Sequence, residues 1–411
     1  MITFPVPTRP AHEQGLFRVS PHTPTTVYGR IALDNRNRNQ HYVPKYYFRC
    51  FSLDEKSIQL MLRKTGKVVP KPASIDKQSS DWWFYGDAAT EDAMSAFDGP
   101  YSENHQFIVS ALDGGRPAAI TAEHRLVLLR NMLLQRRRTL AEREAERGVH
   151  TFVRDALAPQ LTAPGIDESG CPPEAAEALR TMFAIMTKKL DDPRPFQMTK
   201  IAAAQDDANA LADLTMVFLE NDTPRPFIFG DAPVVYANAA LCDREMSLLN
   251  ESSLGLQVFF PLSPRWAVML YDPETYDVQT EGNGLLVMLT DETDVSELNK
   301  LQIHEAHQSI YFHDAANATY VASLWASAAP GEKRGKTVER LPQLTPGGRY
   351  LRDVNAIVDP EPSFHPTLGF VSLRDFSGSR MPYRAAHWIG TGDDTPPSLN
   401  AFVDRKPWRN A

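Results

Sequence analysis

The chain has 411 residues, 42% hydrophobic and 23% charged, which supplies core material for one large domain or two ordinary ones. A net charge of −8 speaks against general nucleic-acid binding through surplus Lys and Arg and leaves only a local basic groove for a polyanion. Three widely spaced cysteines, Cys50, Cys171 and Cys242, show no CxxC spacing and argue against a disulfide framework or a structural zinc site.

The start "MITFPVPTRPAHEQG" is too polar and proline-broken for a signal peptide. No apolar run approaches the roughly 20 residues of a membrane span. A reducing, cytoplasmic location is expected. Residues 1–36 carry prolines, a TPTT run and no sustained period, and read as an extended N-terminal arm. From Pro44, "PKYYFRCFS" reads as a short helix, proline suiting the first helical position, with Tyr47, Phe48 and Phe51 inward. "SIQLMLRKTGKVVPK" reads as a hairpin around Lys64-Thr65-Gly66. A helix is expected from Thr90, interrupted at Gly99-Pro100 and continuing to about Ala111. The next, from Thr121 to Arg147, has its apolar face at Leu126, Leu129, Leu133 and Leu140.

A Pro/Gly-rich loop then leads to helical "PEAAEALRTMFAIMTKKL", and a helical or mixed segment covers 199–220. After Asp222, "RPFIFGDAPVVYAN", "LGLQVFFPLSPRWAVMLYD" and "NGLLVMLT" are short β-type runs, and "DVSELNKLQIHEAHQSIYFH" returns to helix. The order implies an α+β fold: a helix-rich N-terminal half packed on a small antiparallel sheet, a closing helix and an extended C-terminal tail. The expected organisation is a single core domain over 37–325. Residues 326–411 form a Pro/Gly-rich aromatic tail, with Trp388 and Trp408, that wraps the core or binds a protein partner. Neither G-x-G-x-x-G nor G-x-x-x-x-G-K-[ST] occurs, which argues against Rossmann and P-loop enzymes.

Several blocks together resemble the family called domain of unknown function 4238. They are "HYVPKYYFRCF", "TEDAMSAFDG", "LQRRRT", "PFIFGDAPVV", "FFPLSPRWAVML" and "LNKLQIHEAHQSIYF", spread over residues 37–325. The resemblance selects Arg138 from the run Arg136-Arg137-Arg138. This chain departs from the family pattern at Leu140, where a proline is usual, at Gly230, usually serine, and at Ala232, usually asparagine. The resemblance implies a fold and a residue list, and brings no established activity or cofactor.

Each polar candidate has a structural reading beside its functional one. His41 is either a capping or core-satisfying imidazole or a general acid or base, since its ordinary pKa lies near neutrality. Arg49 is an ion-paired stem or an anion clamp, expected to face the same polar cavity as His41. Glu91 and Asp98 lie seven residues apart on nearly one helical face, about 10 Å along the axis, so each can pair with an arginine, Arg49 or Arg138. Asp231 is an Asx-turn or a catalytic carboxylate. Ser263 reads as a turn residue without a nucleophile elbow. Asn299 and Gln302 share a helical face and suit amide contacts to a ligand or to buried backbone. His304 and His307 make a poor metal pair, with no acid at a useful offset.

Two functions of different class follow. One is a hydrolase of a phosphodiester or nucleotide bond, nuclease-like and suited to a defence or toxin role. It would use His41, Glu91 and Asp231 for catalysis and Arg49, Arg138 and Asn299 for substrate, with a divalent cation such as magnesium. Its partner would be a nucleic acid or nucleotide. The other is a non-catalytic binding or sensor module for an anionic ligand or protein partner.

Overall fold

The computed structural model describes residues 39–161, 189–241, 249–282, 284–344, 350–360 and 364–374, with isolated positions at 177, 181–182, 184–185, 362 and 384. The expected N-terminal arm, most of the helix over 173–190, and Trp388 and Trp408 lie outside them.

The chain is α+β. Strand β1 (Asn39–His41) leads through Pro44 into helix α1 (Lys45–Arg49), whose Tyr46, Tyr47 and Phe48 are buried. The expected hairpin forms as β2 (Ser57–Leu62) and β3 (Lys67–Val68), turning at Gly66 with φ of +66°. Two short strands follow, β4 (Ala73–Ser74) and β5 (Ser80–Trp82), and β5 pairs with β1 so that Ser80 faces His41.

Helix α2 (Ala88–Asp113) starts at Asp87, whose carboxylate accepts the Thr90 N–H at 2.7 Å. The expected break at Gly99-Pro100 does not occur; Pro100 sits inside a continuous helix. Ala96, whose carbonyl the proline leaves unbonded, is exposed and reachable by water, and the buried stripe Met94, Tyr101, Ile108 and Leu112 runs past the proline on the other side. The single helix expected over 121–147 is instead two, α3 (Ala122–Arg137) and α4 (Leu140–Ala145), and a third, α5 (Arg147–Leu161), starts where the expected helix was to end. Thr139 causes the first break, because its Oγ1 accepts the Glu142 N–H at 3.2 Å and caps a new helix. After α6 (Arg194–Asp207) come β6 (Thr215–Asn221), β7 (Phe229–Gly230), β8 (Val235–Ala237), β9 (Gln257–Pro261), β10 (Trp266–Tyr271), β11 (Tyr276–Val278) and β12 (Leu286–Leu289).

In place of one small sheet there are two five-stranded ones, β12-β6-β10-β9-β8 and β3-β2-β13-β7, where β13 is Ser309–Phe312 and β4 also pairs with β2. Pairing is antiparallel except between β6 and β12. The first sheet is covered on both faces. Trp266, Val268 and Leu270 of β10 enter the core beneath α1–α3 and α6, while Ala267, Met269 and Tyr271 enter a second core with Val295, Leu298 and Leu301. Double-sided burial explains why this strand reads as unbroken apolar sequence.

The closing helix α7 (Glu292–Glu305) stops eight residues short of the expected end, and Ser309–Phe312 forms β13 in the second sheet. Asp231 drives the change. Its carboxylate accepts the N–H groups of His307, Gln308 and Ser309 at 2.6, 2.8 and 3.3 Å, so the chain leaves the helix with those donors satisfied. Helix α8 (Ala318–Ala328), the hairpin β14 (Thr337–Leu344) and β15 (Tyr350–Val358), and β16 (Val371–Leu373) follow. Within the region expected as tail, β16 pairs with β11, and Leu368 and Phe370 join the second core.

Candidate functional site

Four of the polar candidates, His41, Glu91, Asp98 and Arg138, meet with Tyr85 where β1, the loop before α2, α2 and the end of α3 come together. Arg138 is 2% exposed at the C-terminal end of α3. Its Nη1 donates to Asp98 Oδ1 at 2.6 Å and its Nη2 to Asp98 Oδ2 at 3.3 Å. Nη2 also donates to the His41 carbonyl at 3.0 Å, and Nε to the Tyr85 hydroxyl at 3.2 Å. Tyr85 in turn donates to the same His41 carbonyl at 3.1 Å. Burial works against the Arg138 charge, but the adjoining Asp98 carboxylate holds its pKa above the ordinary arginine value.

Glu91 lies two turns before Asp98. Its Oε2 is closed off from water without a hydrogen-bond partner. Burial pushes its pKa up from 4.5 to about 7; Arg138 opposes the shift and Asp98 adds to it. A carboxyl group that titrates near neutrality is suited to both giving and taking a proton.

His41 joins this cluster through its backbone rather than its ring. The imidazole Nδ1 lies 3.1 Å from the Gln78 carbonyl. That partner can only accept, so Nδ1 carries the proton. Burial, with the Lys45 charge second, lowers the His41 pKa to about 4, so the ring is neutral through the physiological range. This matches the core-satisfying reading of the imidazole.

The backbone on either side of β5, the partner strand of β1, is conformationally strained. Ser79 (φ +43°) and Trp83 (φ +54°) occupy the left-handed region without being glycine. Contacts hold both there. The Ser79 carbonyl accepts from Tyr42 N at 2.9 Å and its hydroxyl lies 3.1 Å from the Tyr311 hydroxyl. The Trp83 carbonyl accepts from Gly86 N at 3.0 Å and from Arg194 Nη1 at 3.3 Å. Backbone strain of this kind concentrates at functional sites. Between the two, Trp82 is 65% exposed, two strand positions (about 7 Å) from the Ser80–His41 pair.

The remaining candidates sit elsewhere. Arg49 is exposed on α1 and does not face a cavity shared with His41, because the inward face of that short helix is filled by Tyr46, Tyr47 and Phe48. Asp231, 1% exposed, is occupied by its three backbone donors; burial raises its pKa in spite of them. Asn299 bridges α7 to the β7 segment: its Oδ1 accepts Ile228 N at 3.0 Å and its Nδ2 donates to the Pro226 carbonyl at 2.9 Å and the Tyr320 hydroxyl at 3.1 Å. Gln302 repeats the arrangement with Gly230 N at 3.1 Å and the Pro233 carbonyl at 2.9 Å. These amides act as a substitute strand for backbone that no strand reaches. Ser263 Oγ accepts from Arg265 N and Trp266 N, which is turn chemistry. His304 stacks on Phe364, and among the described residues no group of three or more His, Cys, Asp or Glu side chains is placed to hold a metal ion.

Tyr85 is a member of the site that motif reading passed over; the aromatic run "DWWFYGD" directly before a capped helix is the signal that marks it. No helix among the described residues is long and apolar enough to cross a membrane. Compared with known proteins, the chain matches no curated protein and no solved structure. Residues 39–316, well over half of the chain and the span that carries every member of the polar cluster, match the family described as protein of unknown function (DUF4238), and the chain belongs to that family.

Proposed function

We propose that this protein hydrolyses a phosphodiester or nucleotide bond, with Glu91 rather than His41 as the group that exchanges the proton. The observation that carries the reading is the unpartnered, half-buried Glu91 carboxyl with its pKa near 7, fixed beside the Arg138–Asp98 pair. Arg138 and Tyr85 position the wall against which Glu91 works. Trp82 offers an exposed indole face on which a base can stack.

The test is turnover of RNA, single-stranded DNA and ribonucleotides by the full chain, compared with Glu91→Gln. General acid–base catalysis contributes on the order of 10²–10⁴-fold, and a loss of that size in kcat with KM little changed is expected. Equal activity in Glu91→Gln, or no turnover of any of the three substrates, rejects the reading.

One observation favours the alternative, a binding or sensor module. Four of the five N–H donors of the Arg138 guanidinium are already engaged, leaving it at most one Nη1–H for charge that grows in a transition state. Saturable ligand binding without turnover would support that module instead.

A further inference from the structure

Among the described residues β14 and β15 pair only with each other, and none of their described side chains is buried. The base of this ribbon is nonetheless fixed. Lys336, directly before β14, donates its backbone N–H to the Ala145 carbonyl at 2.7 Å. Its amine pairs with Glu146 at 2.8 Å and with Asp359, directly after β15, at 3.3 Å. Both ends of the ribbon are thus clamped at the α4–α5 junction. A ribbon two strands wide is at best marginally stable in water, and further strands are what ordinarily secure it.

The register tells which edge is open. Pro342 of β14 lies opposite Asp353 of β15. Proline has no N–H to exchange, so that pair is a non-bonded one and the neighbouring pair Leu341–Val354 carries the ladder bonds. The backbone N–H and C=O of Asp353, Asn355 and Ile357 therefore point away from β14, and they meet no hydrogen-bond partner among the described residues. The outward edge of β14 is blunted by Pro342 itself. That of β15 has no proline, and its carboxylate, Asp353, is paired within the ribbon to Arg340 at 3.1 Å.

β15 is also complementary to itself. Turned antiparallel about its central residue, Val354, the strand sets Asp353 opposite Asn355, both with outward amides. The same turn brings Tyr350, 57% exposed, opposite Val358, an aromatic–β-branched pair, and all nine residues overlap. Centring on Arg352 or Asp353 instead sets like charges face to face.

We propose that β15 is a self-association edge, which pairs with β15 of a second copy about Val354 to make a four-stranded sheet across a two-fold axis. The occupant is a second copy because register and charge match in the strand's own reverse. The contact is small, so a concentration-dependent dimer in the micromolar range is expected. It is independent of Glu91 and needs no turnover.

Sedimentation velocity of the full chain from low to high micromolar concentration tests this, and the wild type should shift from monomer toward dimer. Asn355→Pro removes an outward N–H and no bond to β14, so it should keep the wild-type circular dichroism spectrum and Tm yet stay monomeric. Val354→Cys should give a disulfide-linked dimer under mild oxidation, because the paired Cα atoms would lie about 4.5 Å apart. Ile357→Cys, whose copies would lie about 20 Å apart, should crosslink no more than the wild type with its native cysteines. A wild type that is monomeric at every concentration, a dimer that survives Asn355→Pro, or equal crosslinking of the two cysteine variants overturns the proposal. Slow hydrogen exchange of the Asn355 and Ile357 amides in the dilute monomer would overturn it too, since another segment of the chain would then cover the edge.

Discussion

Arg138 grips Asp98 at two points, Nη1 to Oδ1 at 2.6 Å and Nη2 to Oδ2 at 3.3 Å, and with its other bonds it ties the end of α3 to β1 and to the middle of α2. Three segments distant in sequence are thereby fixed around one guanidinium. Arg138→Ala leaves a carboxylate, a hydroxyl and a carbonyl short of a donor. Because the Asp98 side chain is 26% exposed, water recovers part of the loss, and a destabilisation of about 3 kcal/mol is expected in urea unfolding. Arg138→Lys keeps the charge but cannot span three partners, and should fall between Ala and wild type.

The Glu91 carboxyl gives a pH signature. Its folded pKa lies above its unfolded value, so the fold favours its protonated form. The penalty is absent below about pH 4.5, grows as pH rises, and is complete above about pH 7. Glu91→Gln, which cannot ionise, should raise Tm relative to wild type at pH 8 and have little effect at pH 4. A Tm difference that is constant from pH 4 to pH 8 would contradict the shifted pKa.

His41 has the opposite dependence. Its folded pKa is lowered from 6.5 to about 4, so the unfolded chain takes up a proton between those values and the folded chain does not. Stability should therefore fall as pH drops from 6.5 toward 4, and His41→Gln should reduce that loss. The same variant should leave any pH–rate limb near 7 in place, since Glu91 and not the imidazole titrates there. Disappearance of that limb in His41→Gln would return the proton to the imidazole.

Asp231 closes the end of α7 by accepting three consecutive N–H groups. Asp231→Asn retains one oxygen and places an NH₂ against those donors. A cost of about 2 kcal/mol is expected, with hydrogen-exchange protection lost first at 307–309. Unaltered exchange at those three amides would show that the carboxylate does not hold the turn.

Gly230 is set by contact rather than by backbone conformation. A Cβ there would lie 2.8 Å from Ala306 Cβ and 3.1 Å from the Gln302 carbonyl. Gly230→Ser, which restores the residue usual in the family, should destabilise this chain by about 1–3 kcal/mol, because β7 must move away from α7 to admit it. Wild-type stability in Gly230→Ser would mean that the interface opens without cost.

Local chemistry was readable where it decides structure within a few residues. Pro44 followed by the shared face of Tyr47, Phe48 and Phe51 marked α1, the Lys64-Thr65-Gly66 turn marked the β2–β3 hairpin, and Thr121 marked the start of α3. The helix ends misled where a local signal competes with a distant one. Gly99-Pro100 reads as a break, yet packing on one side and water on the other keep α2 continuous. "EAHQSIYF" reads as helix, yet Asp231, 76 residues earlier, draws its backbone into a turn and strand.

The amino-acid order alone determined the α+β class, the helix starts with their caps, and a short set of polar residues whose types suit proton and anion chemistry. Which of them act together was decided only by tertiary structure. Electrostatic and hydrogen-bonding partnership falls off within a few ångströms, and chain separation says nothing about that distance. Folding placed Asp98 against Arg138 and left Glu91 unpartnered beside them. It occupied Asp231 and Asn299 with backbone.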